Sequence, residues 1–251
     1  MKTILITGAT SGIGEACATL FAENGYRLIL TGRRKEKLAK VADALSSQHN
    51  CPILALNFDV ADYKACETAL ANLPAPFNKI DILLNNAGLA AGLGPIHEGV
   101  LSDWESMIDI NLKGLLYVTR LVAPMMTAQK SGHIVNLSSV AGKETYANGN
   151  VYCATKHAVD SLSQTMRIDL LQHGIKVTNI APGMVETEFS LVRFKGDEKK
   201  AKNVYMGLTP LSAHDIADAI YWAVSRPDHV NISDIVLTPK AQANATTTLR
   251  K

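Results

Sequence analysis

A single doubly wound α/β domain is the fold class this sequence predicts, on three observations. Short apolar runs of strand length alternate with helical stretches along the whole 251 residues. That βαβα rhythm implies a mainly parallel sheet with helices on both faces, and right-handed crossovers make the doubly wound topology the economical one. No repeat, low-complexity tract or Pro/Gly-rich linker divides the chain, so residues 1–251 read as one domain. About seven strands are expected, in the order 3-2-1-4-5-6-7.

Composition narrows the classes of function. Hydrophobic residues are 47% and charged residues 19%, as in a packed core and not a disordered chain. With 25 Lys+Arg against 23 Asp+Glu the formal charge is only +2, without the gathered basic excess of a nucleic-acid binder. The longest apolar runs, Ile4–Ile6 and Ile80–Leu84, are too short to span a bilayer. A strand pattern starts at Thr3, which leaves no room for a signal peptide. Cys17, Cys51, Cys66 and Cys153 show neither C-x-x-C nor zinc spacing, so free thiols in a reducing compartment are expected. The scattered histidines suggest no metal site. A soluble cytoplasmic enzyme with a small-molecule substrate, and neither a nucleic-acid nor a membrane partner, is the expectation.

The first strand, Thr3–Thr7, runs into Thr7-Gly8-Ala9-Thr10-Ser11-Gly12-Ile13-Gly14 and the helix Gly12–Asn24. Glycines there let the backbone approach a pyrophosphate, whose charge meets free N–H groups at the helix start. The spacing is G-x-x-x-G-x-G, so the turn alone is a weak signal; its place after an opening strand strengthens it. The second strand, Arg27–Thr31, ends at Gly32-Arg33-Arg34 before the helix Lys35–Ser47. An NAD site usually places an acid here for the ribose hydroxyls. Two guanidinium groups suit a 2′-phosphate instead, which favours NADP(H), with a solvated helix start as the plain alternative.

The third strand, Ile53–Phe58, leads through Asp59 and Val60 to the helix Tyr63–Asn72, and the fourth, Ile80–Leu84, into Asn85-Asn86-Ala87-Gly88. Asp59 could accept from an adenine amino group and Asn86 could bond the adenosine half; either could equally be a cap or turn residue. After a Gly/Ala-rich break at 87–101, the long helix Ser102–Gln129 carries an apolar stripe of Trp104, Met107, Ile108, Leu115 and Val118. Asn111 falls on that stripe, as a structural hydrogen-bonder or as part of a site.

The fifth strand, His133–Leu137, opens onto Ser138 and Ser139, and the helix Gly149–His173 carries Tyr152 and Lys156 one turn apart. A nearby ammonium favours phenolate; moving a tyrosine from about 10 to about 7 needs about 4 kcal/mol. If strand alternation continues, the two serines face opposite ways and Ser139 meets the tyrosine. The sixth strand, Lys176–Ile180, is followed by 182–211, expected to form short helices and a lid. The helix Ala213–Ser225 and the strand Ile232–Leu237 complete the chain.

In order and spacing these motifs resemble the short-chain dehydrogenase/reductase family over nearly the whole chain, with its Rossmann-like sheet. T-G-x-x-x-G-x-G appears as Thr7–Gly14, N-N-A-G as Asn85–Gly88 and Y-x-x-x-K as Tyr152–Lys156. The resemblance implies that Tyr152 is the general acid/base, Ser139 holds the substrate oxygen, and Lys156 lowers the tyrosine pKa and binds the nicotinamide ribose. It further implies that Asn111 orders a relay water. Gly8, Thr10, Ser11, Gly12, Ile13, Gly14, Arg33, Arg34, Asp59, Val60 and Asn86 would serve the cofactor. Pro182-Gly183 would cover the nicotinamide, with Val185 and Thr187 near its carboxamide, so that the 4-pro-S hydrogen moves. The resemblance also suggests a homotetramer built on the two long helices.

Val185 through Asp197, Asn150-Val151-Tyr152 and His229-Val230-Asn231-Ile232 narrow the resemblance to the NADP-dependent 3-hydroxy acid dehydrogenases. These act on serine, L-allo-threonine and related acids and reduce malonic semialdehyde. Arg193 is either a carboxylate clamp, for which its fork is suited, or a solvated or lid-latching arginine. The rival readings are a reductase of 3-oxoacyl thioesters, sugars or general carbonyls, and a non-enzymatic dinucleotide sensor.

Overall fold

The computed structural model describes residues 1–251. Seven strands form: β1 (Thr3–Ile6), β2 (Arg27–Gly32), β3 (Ile53–Asn57), β4 (Ile82–Asn85), β5 (Gly132–Leu137), β6 (Ile175–Pro182) and β7 (Asp234–Leu237). They make one sheet in the order β3-β2-β1-β4-β5-β6-β7, every neighbouring pair parallel. The order reverses between β1 and β4, which opens a crevice beyond the carboxyl ends of those strands.

Helices α1 (Gly12–Glu23), α2 (Lys35–His49) and α9 (Ala213–Val224) cover one face of the sheet, and α3 (Tyr63–Ala71), α5 (Leu115–Gln129) and α6 (Asn150–Asp169) cover the other. The alternation of β1 shows how the chain serves both layers. Ile4 and Ile6 join the core with Phe21 and Ile216, while Leu5 joins the core with Val118 and Val159. A central strand buried on both faces is predominantly apolar, which is why Ile4–Ile6 reads as an unbroken run.

The expected helix Ser102–Gln129 is not uniform. It consists of α4 (Leu101–Ile108), a π-helical turn at Asp109–Gly114, and α5. The wider turn brings Gly114 against Val60, where a Cβ would lie 2.7 Å from Val60 Cγ2. The stretch 182–211 contains two short helices, α7 (Phe189–Arg193) and α8 (Glu198–Asn203), the latter capped by the Asp197 carboxylate accepting from Lys200 N at 3.0 Å. No helix is long and apolar enough to cross a membrane.

Candidate active site

The β1–α1 turn is shaped by Gly8 at φ +68° and Gly12 at φ +54°, the left-handed region that glycine enters without strain. Ser11, in extended conformation, precedes α1 without capping it through its side chain. The first-turn amides therefore keep no side-chain acceptor, and an anion fits there. Gly14 packs so tightly that a Cβ would lie 2.3 Å from Gly8 O. Asn86 stitches this turn to the end of β4, donating to Thr7 O at 2.8 Å and Gly8 O at 3.1 Å. Both amide hydrogens are thereby committed to the backbone, while Oδ1 makes no hydrogen bond within the chain.

Arg34 leans onto the same turn. Its guanidinium reaches Thr10 Oγ1 at 3.0 Å, Ser11 Oγ at 2.8 Å and Glu188 Oε2 at 3.0 Å. Lys37, in the first turn of α2, also pairs with Glu188, at 2.8 Å. Arg33 lies 3.4 Å from Asp59, whose other oxygen accepts from Ala61 N. Asp59 thus bonds Arg33 and its own turn, and its exposed carboxylate keeps lone pairs for a ligand. Val60 is buried in the core and offers a ligand only its backbone. The fit for a phosphorylated dinucleotide stands on the uncapped amides and on three cations gathered at the end of β2.

The chemistry-bearing residues converge at the carboxyl ends of β5 and β6. Past Leu137 the backbone stays extended, so the two serines face opposite ways. Ser138 Oγ donates to Lys156 O at 3.0 Å, inside the structure. Ser139 Oγ donates to Pro182 O at 3.3 Å and interacts with the Tyr152 phenol. Tyr152 and Lys156 project from one face of α6, both buried, with Lys156 Nζ 5.9 Å from the Tyr152 ring centroid. That ammonium donates to Leu137 O at 2.7 Å, and burial lowers its pKa to about 8.

Burial raises the Tyr152 pKa above the ordinary phenol value; Arg193 and Ser139 pull the other way without offsetting it. In the chain by itself desolvation dominates, and Arg193 is the nearer of the two cations over the ring, Lys156 being the other. The Arg193 Cζ lies 4.9 Å from the Tyr152 centroid.

Asn111 sits in the π turn. Its Oδ1 accepts from Leu89 N at 2.8 Å, and its Nδ2 donates to Leu89 O at 2.8 Å and Thr155 Oγ1 at 3.1 Å. The side chain holds the loop after β4 against α6, with its donors and acceptor already engaged. Gly88 fills the gap between it and the ammonium: a Cβ there would lie 3.2 Å from Asn111 Oδ1 and 3.6 Å from Lys156 Nζ. After β6, Gly183 N donates to Leu237 O at 2.7 Å and Val185 O accepts from Tyr205 Oη at 2.8 Å. Thr187 lies against Gly12, so this strap crosses the glycine-rich turn.

A cavity of about 420 Å³ opens beside Tyr152, lined also by Trp104, Met107, Asn150 and Arg193. Lys37, Tyr146, Glu188 and Phe189 are contributors that sequence reasoning did not single out. Only Lys37 carried a readable signal, its place in the first turn of the helix that follows Arg33 and Arg34.

The family model described as short chain dehydrogenase matches residues 2–197. The chain belongs to that family. Among its relatives, this short-chain dehydrogenase is 47% identical to the NADP-dependent 3-hydroxy acid dehydrogenase of Salmonella typhi over 243 residues, 96% of each chain. It is 47% identical to the serine 3-dehydrogenase of Agrobacterium fabrum, over 97% of this chain and 96% of that one. The solved closed form of a serine dehydrogenase complexed with NADP+ superposes with a TM-score of 0.92 at 45% identity, covering 99% of both chains.

Proposed function

We propose that this short-chain dehydrogenase interconverts a small 3-hydroxy acid, of the serine, L-allo-threonine or 3-hydroxypropionate type, with its carbonyl form, using NADP(H). The observation that carries the reading is similarity over nearly the whole length to relatives named for that chemistry, joined to a site equipped for it.

When bound, the dinucleotide supplies or accepts the hydride. The uncapped amides of Gly12, Ile13 and Gly14 would hold its pyrophosphate; Thr10, Ser11, Arg33, Arg34 and Lys37 would hold its adenosine side; and the Pro182–Thr187 strap would cover its nicotinamide. Ser139 Oγ holds the substrate oxygen. Tyr152 Oη gives or takes that oxygen's proton, and the ring's burial keeps water from competing. Lys156, buried and anchored on Leu137 O, would hold the nicotinamide ribose. Asn111 is a positioning residue that fixes the loop bearing Gly88.

Charge at the mouth argues against an acyl thioester on an acidic carrier. Lys195 pairs with Asp103 at 2.9 Å, Lys200 with Asp197 at 3.5 Å and Lys202 with Glu198 at 3.8 Å. Of the five cations in 193–202, only Lys199, and Arg193 inside the cavity, are left without an acidic partner. A cytoplasmic homotetramer completes the proposal. It is supported by four free buried thiols and by Leu116 and Ile168, exposed apolar residues on α5 and α6.

The test is an NADP+ reduction assay across L-serine, L-allo-threonine, 3-hydroxypropionate, 3-hydroxybutyrate and simple sugars. Turnover confined to the 3-hydroxy acids is expected; preference for a sugar or a neutral alcohol would overturn the substrate assignment.

A further inference from the structure

Arg193 is a cation without an anion. Its guanidinium lies among three aromatic rings, with Cζ 4.9 Å from the Tyr152 centroid, 5.4 Å from Phe189 and 5.8 Å from Tyr146. Nη2 donates to Tyr146 Oη at 2.6 Å, while Nε is buried with no hydrogen-bond partner. The acids lining the same cavity are engaged elsewhere, Asp103 with Lys195 and Glu98 with His97. An arginine keeps its charge, and a partly buried charge is costly unless paired. The ring faces offset part of that cost, but they leave a hydrogen-bond donor unused.

The arrangement is also held in place. Tyr146 packs so closely under Gly149 that a Cβ there would lie 2.3 Å from its ring. The Arg193 carbonyl accepts from Gly92 N at 3.0 Å, which ties α7 to the loop after β4.

We propose that Arg193, oriented by Tyr146, forms the carboxylate subsite and sets the preference for hydroxy acids over neutral alcohols. A 3-hydroxy acid carries its carboxylate two carbon–carbon bonds from the carbinol carbon. A cation lying against the Tyr152 ring, and not across the cavity, suits so short a span. The planar fork donates charge-assisted bonds to a carboxylate, and Nη1, which unlike Nη2 makes no hydrogen bond within the chain, is free to give one. This rests on the substrate reading above.

The experiment compares kcat/KM for 3-hydroxypropionate and for its methyl ester. The acid-to-ester ratio cancels any common effect of Arg193 on the Tyr152 phenol. Arg193→Gln should lower that ratio about 100-fold, as expected for losing charge-assisted bonds. Arg193→Lys should fall between, keeping the charge and losing the fork, and Tyr146→Phe should lower the ratio less. A ratio unmoved in Arg193→Gln, while the wild type oxidises the acid, overturns the subsite and leaves the functional reading intact; a wild type that ignores 3-hydroxy acids overturns that reading first. Should Arg193→Gln not fold, the wild-type protein still decides. Malonate should compete with the acid substrate and dimethyl malonate should not, and equal inhibition by both would refute the proposal.

Discussion

Ser138 and Ser139 are chemically identical neighbours, and the structure separates them by where each hydroxyl points. Ser139 meets Tyr152, whereas Ser138 is spent on a helix carbonyl. Ser139→Ala should therefore lower kcat about 100-fold, as for the loss of one donor to a reacting oxygen, with NADPH titration unchanged. Ser138→Ala should keep more of its turnover and cost about 1 kcal/mol of stability, read from denaturant unfolding; the reverse pattern would reassign the two. This distinction was legible in the sequence because extended backbone alternates whatever it packs against. The place of Arg193 was not. It depends on a packed meeting with Tyr146 and Tyr152, which lie far from it in the chain, and local periodicity says nothing about such contacts.

At the level of elements, apolar runs located all seven strands because a two-sided core leaves each central strand little choice of residue. The π turn escaped because Trp104, Met107, Leu115 and Val118 keep a tolerable helical stripe despite the widened turn. Asn111 shows the consequence: its place on the stripe was readable, but not its bonds to Leu89 and Thr155.

β5 carries a buried exception to apolarity. His133 Nε2 lies 2.7 Å from Thr178 Oγ1, and that hydroxyl spends its proton on Ile232 O at 2.6 Å, so His133 is the donor and stays neutral. Burial, then Lys176 and Lys2, lowers its pKa to about 3 from the ordinary 6.5. Below about 6.5 the unfolded chain takes up a proton that the folded one refuses, so the stability present at neutral pH is lost as pH falls toward the folded pKa. About 2 kcal/mol should disappear between pH 7 and pH 5 on this account. His133→Gln keeps a donor and should flatten that slope in urea unfolding at the two pH values. An unchanged slope would assign acid sensitivity elsewhere.

At the scale of the molecule, the fold brings the first half of the chain to the last through Glu188. This carboxylate begins the segment leading into α7, yet it pairs with Lys37 and Arg34 at the start of α2, and those two cations lower its pKa. Phe189, the next residue, packs against Tyr152 with ring centroids 5.6 Å apart. The cations proposed for the 2′-phosphate are thus already shared with the strap that leads to the substrate side. An anion arriving at Arg34 must compete with Glu188 for it. Glu188→Gln should then raise the NADPH-over-NADH affinity ratio roughly threefold at low salt, the size expected of an exposed pair, and the gain should vanish at high salt because these charges are screened. The double variant Arg33→Ala/Arg34→Ala should move the ratio the opposite way by about tenfold or more. Fluorescence titration of both nucleotides at two ionic strengths reads all of this. If Glu188→Gln leaves the ratio where it was while the arginine variant lowers it, Glu188 closes the strap without touching cofactor choice.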